Sequence, residues 1–296
     1  MKKILLHSFD LILITAFTIY VLLDTFVIPR TYAAQTDEST DASQTSSSSS
    51  NAVITDTTYS DDNITIAITS EVYEDTTVYT ADIQVSDVSY LKTALANGTY
   101  GKNITATTSE IASSNDAILA INGDYYGAQN SGYVVRNGTV YRSTASGNDQ
   151  EDLVIKSDGS FAIINEGTVD ETYLESDDIL QVLSFGPALI ESGEVSVTAN
   201  DEVGKAMTSN PRTAICEIAP LHYLFVVADG RTSESEGLSL YQLAAYLEGK
   251  GVKTAYNLDG GGSSTMVFNE TVINKPTTNG DTISERSVSD IVYIGY

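Results

Sequence analysis

Three segments place acids and amides directly beside glycine. They are Asn122-Gly123-Asp124, Asp229-Gly230-Arg231, and the longer string Asn257-Leu258-Asp259-Gly260-Gly261-Gly262-Ser263-Ser264-Thr265. An isolated Asp-Gly or Asn-Gly pair is an ordinary turn signal. Three consecutive glycines are different, because each costs conformational entropy on folding. Three hydroxyl residues follow them at once. Such a loop is suited to bring backbone N–H groups up to an anion, as an oxyanion or phosphate nest does. No Gly-Lys-Ser/Thr follows, so the string is not a Walker loop. Arginines are few, which makes Arg212, Arg231 and Arg286 informative. Arg212 and Arg231 flank the apolar runs that feed these turns, and paired guanidinium forks match the geometry of a phosphodiester. Arg136 sits inside a hairpin pattern and reads as structural.

The elements that must position these residues are legible from periodicity. Residues 64–68 and 78–85 alternate as strands do. Residues 117–121 form a buried strand running straight into Asn122-Gly123-Asp124. Residues 133–141 read as a hairpin turning at Asn137-Gly138, the pair favoured in a type I′ turn. A short helix is expected over 109–115, capped by Thr107 or Thr108. Near the end, 223–228 is a strand and 239–250 an amphipathic helix with Leu240, Leu243, Ala244 and Leu247 on one face. Gly251 closes that helix, and 254–258 is the next strand. The strand–helix–strand succession predicts an α+β (α/β-like) domain, a mixed β-sheet core with packed helices. In sheets with helical crossovers, ligands sit at the carboxyl ends of strands, where all three glycine-marked turns fall.

Composition narrows the chemistry. The chain has 296 residues, 42% of them hydrophobic, and a formal net charge of −25 from 15 basic and 40 acidic residues. That surface repels nucleic acid, so no nucleic-acid partner is expected. An anionic substrate would need a few local arginines to reverse the field inside a cleft. Cys216 is the lone cysteine, so no intrachain disulfide forms, and its apolar setting reads as a small buried hydrophobe. His7 and His222 are the two histidines, too few for a His-rich zinc centre, and His222 reads as a turn or strand-end residue. Catalysis must therefore come from carboxylates, arginines, amides and hydroxyls, and no cofactor is called for. An alternative is a divalent cation held by Asp124, Asp229 and Asp259, which would make the protein a metal-dependent phosphodiesterase attacking phosphorus. A second alternative is a non-catalytic envelope module binding glycan or phosphate, with some of the 18 tyrosines as stacking surfaces.

The N-terminal part reads as a targeting region. Lys2 and Lys3 precede an apolar stretch over 11–28 that only Asp24 interrupts. Its length approaches the roughly 20 residues that span a bilayer, and the lysines place the N-terminus inside. Thr31-Tyr32-Ala33-Ala34 could instead mark a signal-peptide cleavage site. The length of the apolar stretch favours an uncleaved membrane anchor, and both readings put the rest outside the cytoplasm. Residues 35–58, rich in Ser, Thr and Asp, read as a disordered linker. The expected organisation is an anchor or signal over 1–34, the linker over 35–58, and one catalytic domain over 59–296.

The glycine-marked segments, in order and approximate spacing, resemble the phosphodiester glycosidase family from about residue 79 onward. The matching pieces are Ala120-Ile121-Asn122-Gly123-Asp124-Tyr125-Tyr126, Phe185-Gly186-Pro187-Ala188-Leu189 and Asn210-Pro211-Arg212-Thr213-Ala214-Ile215. They continue with Val227-Ala228-Asp229-Gly230-Arg231, Gly237-Leu238-Ser239-Leu240, the string from Asn257 to Met266, and Arg286-Ser287-Val288. Cys216 stands where the family pattern has glycine. The resemblance implies hydrolysis between a sugar anomeric carbon and a phosphodiester oxygen. On that reading Arg212, Arg231 and the amides of Gly260, Gly261 and Gly262 hold the phosphate, beside the hydroxyls of Ser263, Ser264 and Thr265. Asp229 and Asp259 form the catalytic carboxylate pair, and Asn122, Asp124 and Asn257 position sugar hydroxyls or water. Teichoic-type polymers, exopolysaccharide and glycosylated phospholipids of the cell envelope all fit as substrates.

Overall fold

A computed structural model describes residues 2–35, 51–200 and 209–296. Strand accounts for 38% of the chain and helix for 18%, so the class is more strongly β than expected. A nine-stranded sheet forms the centre. Two five-stranded sheets cover one of its faces. The shared core includes Ile64, Ile83, Ile215 and Phe225 from the large sheet, Leu119, Ile121 and Val292 from one small sheet, and Leu153 and Leu183 from the other. Period-two alternation sends Ala214 and Cys216 to the opposite face, where Leu240, Leu243, Ala244 and Leu247 of the helix Leu240–Glu248 cover them. Cys216 is fully buried there, and burial pushes its thiol up, as its reading as a small hydrophobe requires.

The expected mixed sheet is not what forms. Among the described residues every strand pairing is antiparallel. The strands His222–Ala228 and Thr254–Asn257 do run in the same direction, as their helical crossover demands. However, the strand Arg212–Ala219 lies between them, antiparallel to both. Its tight connection to His222–Ala228 passes through Leu221 at φ 67, which lets the hairpin close before the crossover is made. This interleaving brings the start of Arg212–Ala219 to the same sheet edge as the ends of its two neighbours.

Local expectations hold where chemistry is local. The helix Thr108–Ser114 starts with a capping box between Thr107 and Glu110, and Ser239 and Gln242 form another before Leu240–Glu248. Asn137 and Gly138 have φ of 50° and 78°, the two positive values a type I′ turn needs. His222 stands at a strand end, its Nε2 3.0 Å from Asp82 Oδ1.

The N-terminal apolar stretch lies in a helix, Lys2–Phe26. Among the described residues, no helix is both long and apolar enough to cross a membrane, so the structure gives no support to the anchor. After the helix, Arg30–Thr31 pairs with Gly101–Lys102, and Asn103 Nδ2 donates to the carbonyls of Thr25 and Ile28. Most of the expected linker lies outside the described residues.

Candidate active site

The strand Leu119–Asn122 belongs to a small sheet, yet its last side chain reaches the edge of the large one. Asn122 Oδ1 accepts from Thr213 Oγ1 at 2.8 Å and from the Thr265 amide at 3.2 Å, and its Nδ2 donates to the Asp259 carbonyl at 2.6 Å. Three distant segments are thereby tied to one buried amide. Expected to position sugar or water, Asn122 has both polar atoms engaged inside the protein.

Asp124 is likewise held inside. Its Oδ2 accepts from Arg136 Nη2 at 2.7 Å and the Ser184 amide at 2.9 Å, and its Oδ1 from the Tyr126 amide at 3.0 Å. Arg136 also pairs with Asp290 at 2.8 Å, so two acids flank one buried guanidinium. Arg136 is buried between the two acids, and Asp124, though held by it, also borders the cleft that Asp259 lines. Asn257 is buried too, and its Nδ2 donates to the Gly186 carbonyl at 2.8 Å, away from the cleft.

The triglycine loop is close-packed where an open nest was expected. Gly261 N–H donates to the Pro211 carbonyl at 2.8 Å, and the Gly260 amide bonds the Asp259 carboxylate. A Cβ on Gly260 would lie 2.9 Å from the Pro211 oxygen, one on Gly261 2.8 Å from Arg231 Nη2, and one on Gly262 2.3 Å from Thr278 Oγ1. These residues are glycine because three neighbours press on the loop. Ser263 Oγ donates to Asp259 Oδ2 at 2.6 Å, while the hydroxyls of Ser264 and Thr265 are buried without partners.

What the loop presents is a pair of arginines. Arg231 lies over Gly261, with Nε and Nη2 on Asn210 Oδ1 at 3.2 and 3.0 Å and Nη1 on the Thr278 carbonyl at 2.5 Å. All these partners are neutral, an unusual setting for a cation in so acidic a chain. Partial burial, and then the neighbouring Arg286, push its pKa down, so the two guanidinium groups feel each other. Arg286 Nη2 reaches Asp259 Oδ2 at 3.3 Å, the Gly260 carbonyl at 3.1 Å and Ser263 Oγ at 2.7 Å. Asp259, Arg286, Asp124 and Tyr125 line a cleft of about 320 Å³ together with Asn103 and Ser289. Burial pushes the Asp259 carboxyl above the usual carboxylate range, against the opposing pull of Arg286 and Ser263.

Two expected site residues sit behind this surface. Arg212 is buried, donates from Nε to the Leu238 carbonyl at 2.8 Å, and supports Gly260 from below. Asp229 is buried and does not line the cleft. Its Oδ1 accepts from Asn274 Nδ2 and the Lys275 amide, each at 3.0 Å, and Tyr79 bonds it as well. Asn274 also donates to the Ser264 carbonyl at 3.0 Å, which links Asp229 to the triglycine loop at one remove. Burial raises the Asp229 pKa. Among the described residues, no three His, Cys, Asp or Glu side chains are placed to hold a metal ion; Asp124, Asp229 and Asp259 each face separate partners. Arg286 was visible as a scarce arginine in a matching motif, whereas nothing in the local sequence singled out Asn274 or Tyr79.

The family model of phosphodiester glycosidases matches residues 115–295, more than half of the chain. The chain belongs to this family. Among curated relatives, the human N-acetylglucosamine-1-phosphodiester alpha-N-acetylglucosaminidase is 31% identical over 193 residues, covering 58% of this chain and 36% of its own. The mouse enzyme of the same name is 30% identical over 172 residues, covering 49% and 33%. The chain thus matches about a third of the length of these relatives. In solved structures, the catalytic domain of the zebrafish N-acetylglucosamine-1-phosphodiester alpha-N-acetylglucosaminidase shares the fold. Its TM-score is 0.61 at 20% identity, covering 79% of this chain and 83% of that one.

Proposed function

We propose that this protein hydrolyses the bond between a sugar anomeric carbon and a phosphodiester oxygen. The observation that carries the reading is the Arg231–Arg286 pair over the triglycine loop, beside the buried Asp259 carboxylate. Two neighbouring guanidinium groups, one of them bound to neutral acceptors, make a local anion site in a chain of net charge −25. Family membership and the printed activity of the mammalian relatives support the same chemistry.

The leaving group is a phosphate whose last pKa is about 6, so it departs with little protonation. Catalysis then rests on stabilising the departing phosphate and the oxocarbenium-like carbon. Arg231 and Arg286 take the phosphate. Asp259, oriented by Ser263 and Arg286, supplies the negative charge at carbon or activates the water that replaces the phosphate. Arg212, Asp229 and Asn122 hold the loop that carries these groups. The products are a free sugar and a phosphomonoester. An extracytoplasmic location, with envelope glycoconjugates as substrates, accords with the apolar N-terminal stretch and the Ser/Thr-rich segment after it.

The test is turnover on matched substrates. A sugar-1-phosphodiester should release free sugar, while the alkyl glycoside of the same sugar, lacking the anion, should be inert. Equal rates on both, or none on any sugar phosphodiester of a panel, would overturn the proposal.

A further inference from the structure

Beneath the cleft lies a buried cluster of charges that the proposed reaction does not use. Asp124, Asp152, Glu166 and Asp290 are each no more than 1% exposed, and the cation among them is Arg136. Four ionised carboxylates around one guanidinium would leave a large uncompensated negative charge out of contact with water, which is strongly unfavourable. The hydrogen bonds show where the charge is relieved.

Glu166 is arranged as an acceptor on both oxygens. Its Oε1 accepts from the Tyr133 amide at 2.9 Å and from Ser184 Oγ at 3.0 Å, and its Oε2 accepts from the Ser146 amide. That is the setting of a carboxylate. Asp152 is the opposite case. It lies within hydrogen-bonding reach of Ser184 and of Glu166, yet its buried Oδ2 takes no donor, and Gln150 Nε2 is 3.5 Å from its Oδ1. An acid with an undonated oxygen beside a fully donated carboxylate is where a proton belongs. Asp290 also has a buried oxygen, Oδ1, without a partner, but its Oδ2 is engaged by Arg136, whereas Asp152 has no cation beside it among the described residues. Ser184 links the pair to Asp124 through its amide at 2.9 Å, and Asp124 and Asp290 already share Arg136. The phenol of Tyr256 donates to the Glu151 carbonyl at 2.7 Å.

We propose that Asp152 is held as a neutral carboxylic acid donating to Glu166, so that one proton is a structural part of the brace under the cleft. Asp152 is then a positioning residue. Through Glu166, Ser184 and Asp124 it fixes the turn that carries Asn122, and its ionisation sets an alkaline limit on the integrity of the cleft. Burial, followed by the charge of Glu166, pushes its pKa up to about 9. The sign follows from linkage. A carboxyl whose pKa is raised on folding stabilises fully below its unfolded value near 4, and that contribution is lost as pH rises through the folded value.

Unfolding of the full chain, measured from pH 5 to 8 for the wild type and Asp152→Asn, tests this without reference to any substrate. The amide mimics the neutral acid, so the two should be close in stability at pH 5. The variant should then gain on the wild type by about tenfold in folding constant per pH unit, the effect of one proton. Glu166→Gln should be destabilised throughout, because its amide nitrogen meets donors. Parallel curves for wild type and Asp152→Asn would overturn the proposal. So would a benign Glu166→Gln beside a damaged Asp152→Asn. A wild-type stability that rises with Ca²⁺, in a manner Asp152→Asn abolishes, would put a cation where the proton is assigned. Failure of the hydrolytic reading would leave all these unfolding results untouched.

Discussion

Asp259 lines the cleft and Arg231 lies over Gly261 of the adjoining loop, and their surroundings predict different behaviour on substitution. Asp259 is ringed by Ser263 Oγ, Arg286 and the Gly260 amide, all donors to a carboxylate. Asp259→Asn keeps the size of the side chain and removes its charge. We expect turnover to fall by at least about 100-fold, with the circular dichroism spectrum retained; normal activity would remove Asp259 from the chemistry. Arg231 is exposed and holds only neutral acceptors, so Arg231→Gln should leave the melting temperature nearly unchanged. Loss of a charge-assisted bond to phosphate should raise KM by about 10- to 100-fold, and an unaltered KM would assign the phosphate elsewhere. At this scale the sequence identified the loop and the scarce arginines. It did not separate groups that face the cleft from those that support it. Asn122, Asp124 and Arg212 carry polar side chains suited to either task, and only their three-dimensional partners decide.

At the level of elements, most of what was legible came from short-range signals. Capping boxes, the Asn137-Gly138 turn and the apolar face of Leu240–Glu248 depend on neighbours a few residues away, and each forms. The insertion of Arg212–Ala219 between two strands joined by a helical crossover depends on pairing over long sequence distances. Periodicity carries no such information, which is why it predicts a mixed sheet where an antiparallel one forms. The same insertion brings Pro211 under Gly261 and Arg212 under Gly260, so the loop depends on it. The helix over the outer face contributes through Ser239, whose side chain accepts from the Gln242 amide. Ser239→Ala should cost about 1 kcal/mol of unfolding free energy. Denaturant unfolding measures it, and no loss would mean that tertiary packing alone holds the helix start.

The whole molecule carries a net charge of −25, and its candidate anion site lies within that field. Self-repulsion should make the folded chain more stable as salt is added, since screening shortens to about 10 Å at 0.1 M. A melting temperature that rises from low salt to 0.1 M NaCl is the expected result, and a flat or falling one would argue that the charges are locally compensated. The same field disfavours approach of an anionic substrate at long range, so recognition falls to the short-range arginine pair. Everything at the larger scale serves to hold that pair beside Asp259, and the bond that breaks is the decisive consequence. Hydrolysis of a sugar-1-phosphodiester in ¹⁸O-water reads it directly by mass spectrometry. Attack at the anomeric carbon places the label in the released sugar, which is the result expected here. Label in the phosphate would mean attack at phosphorus and would contradict the glycosidase account.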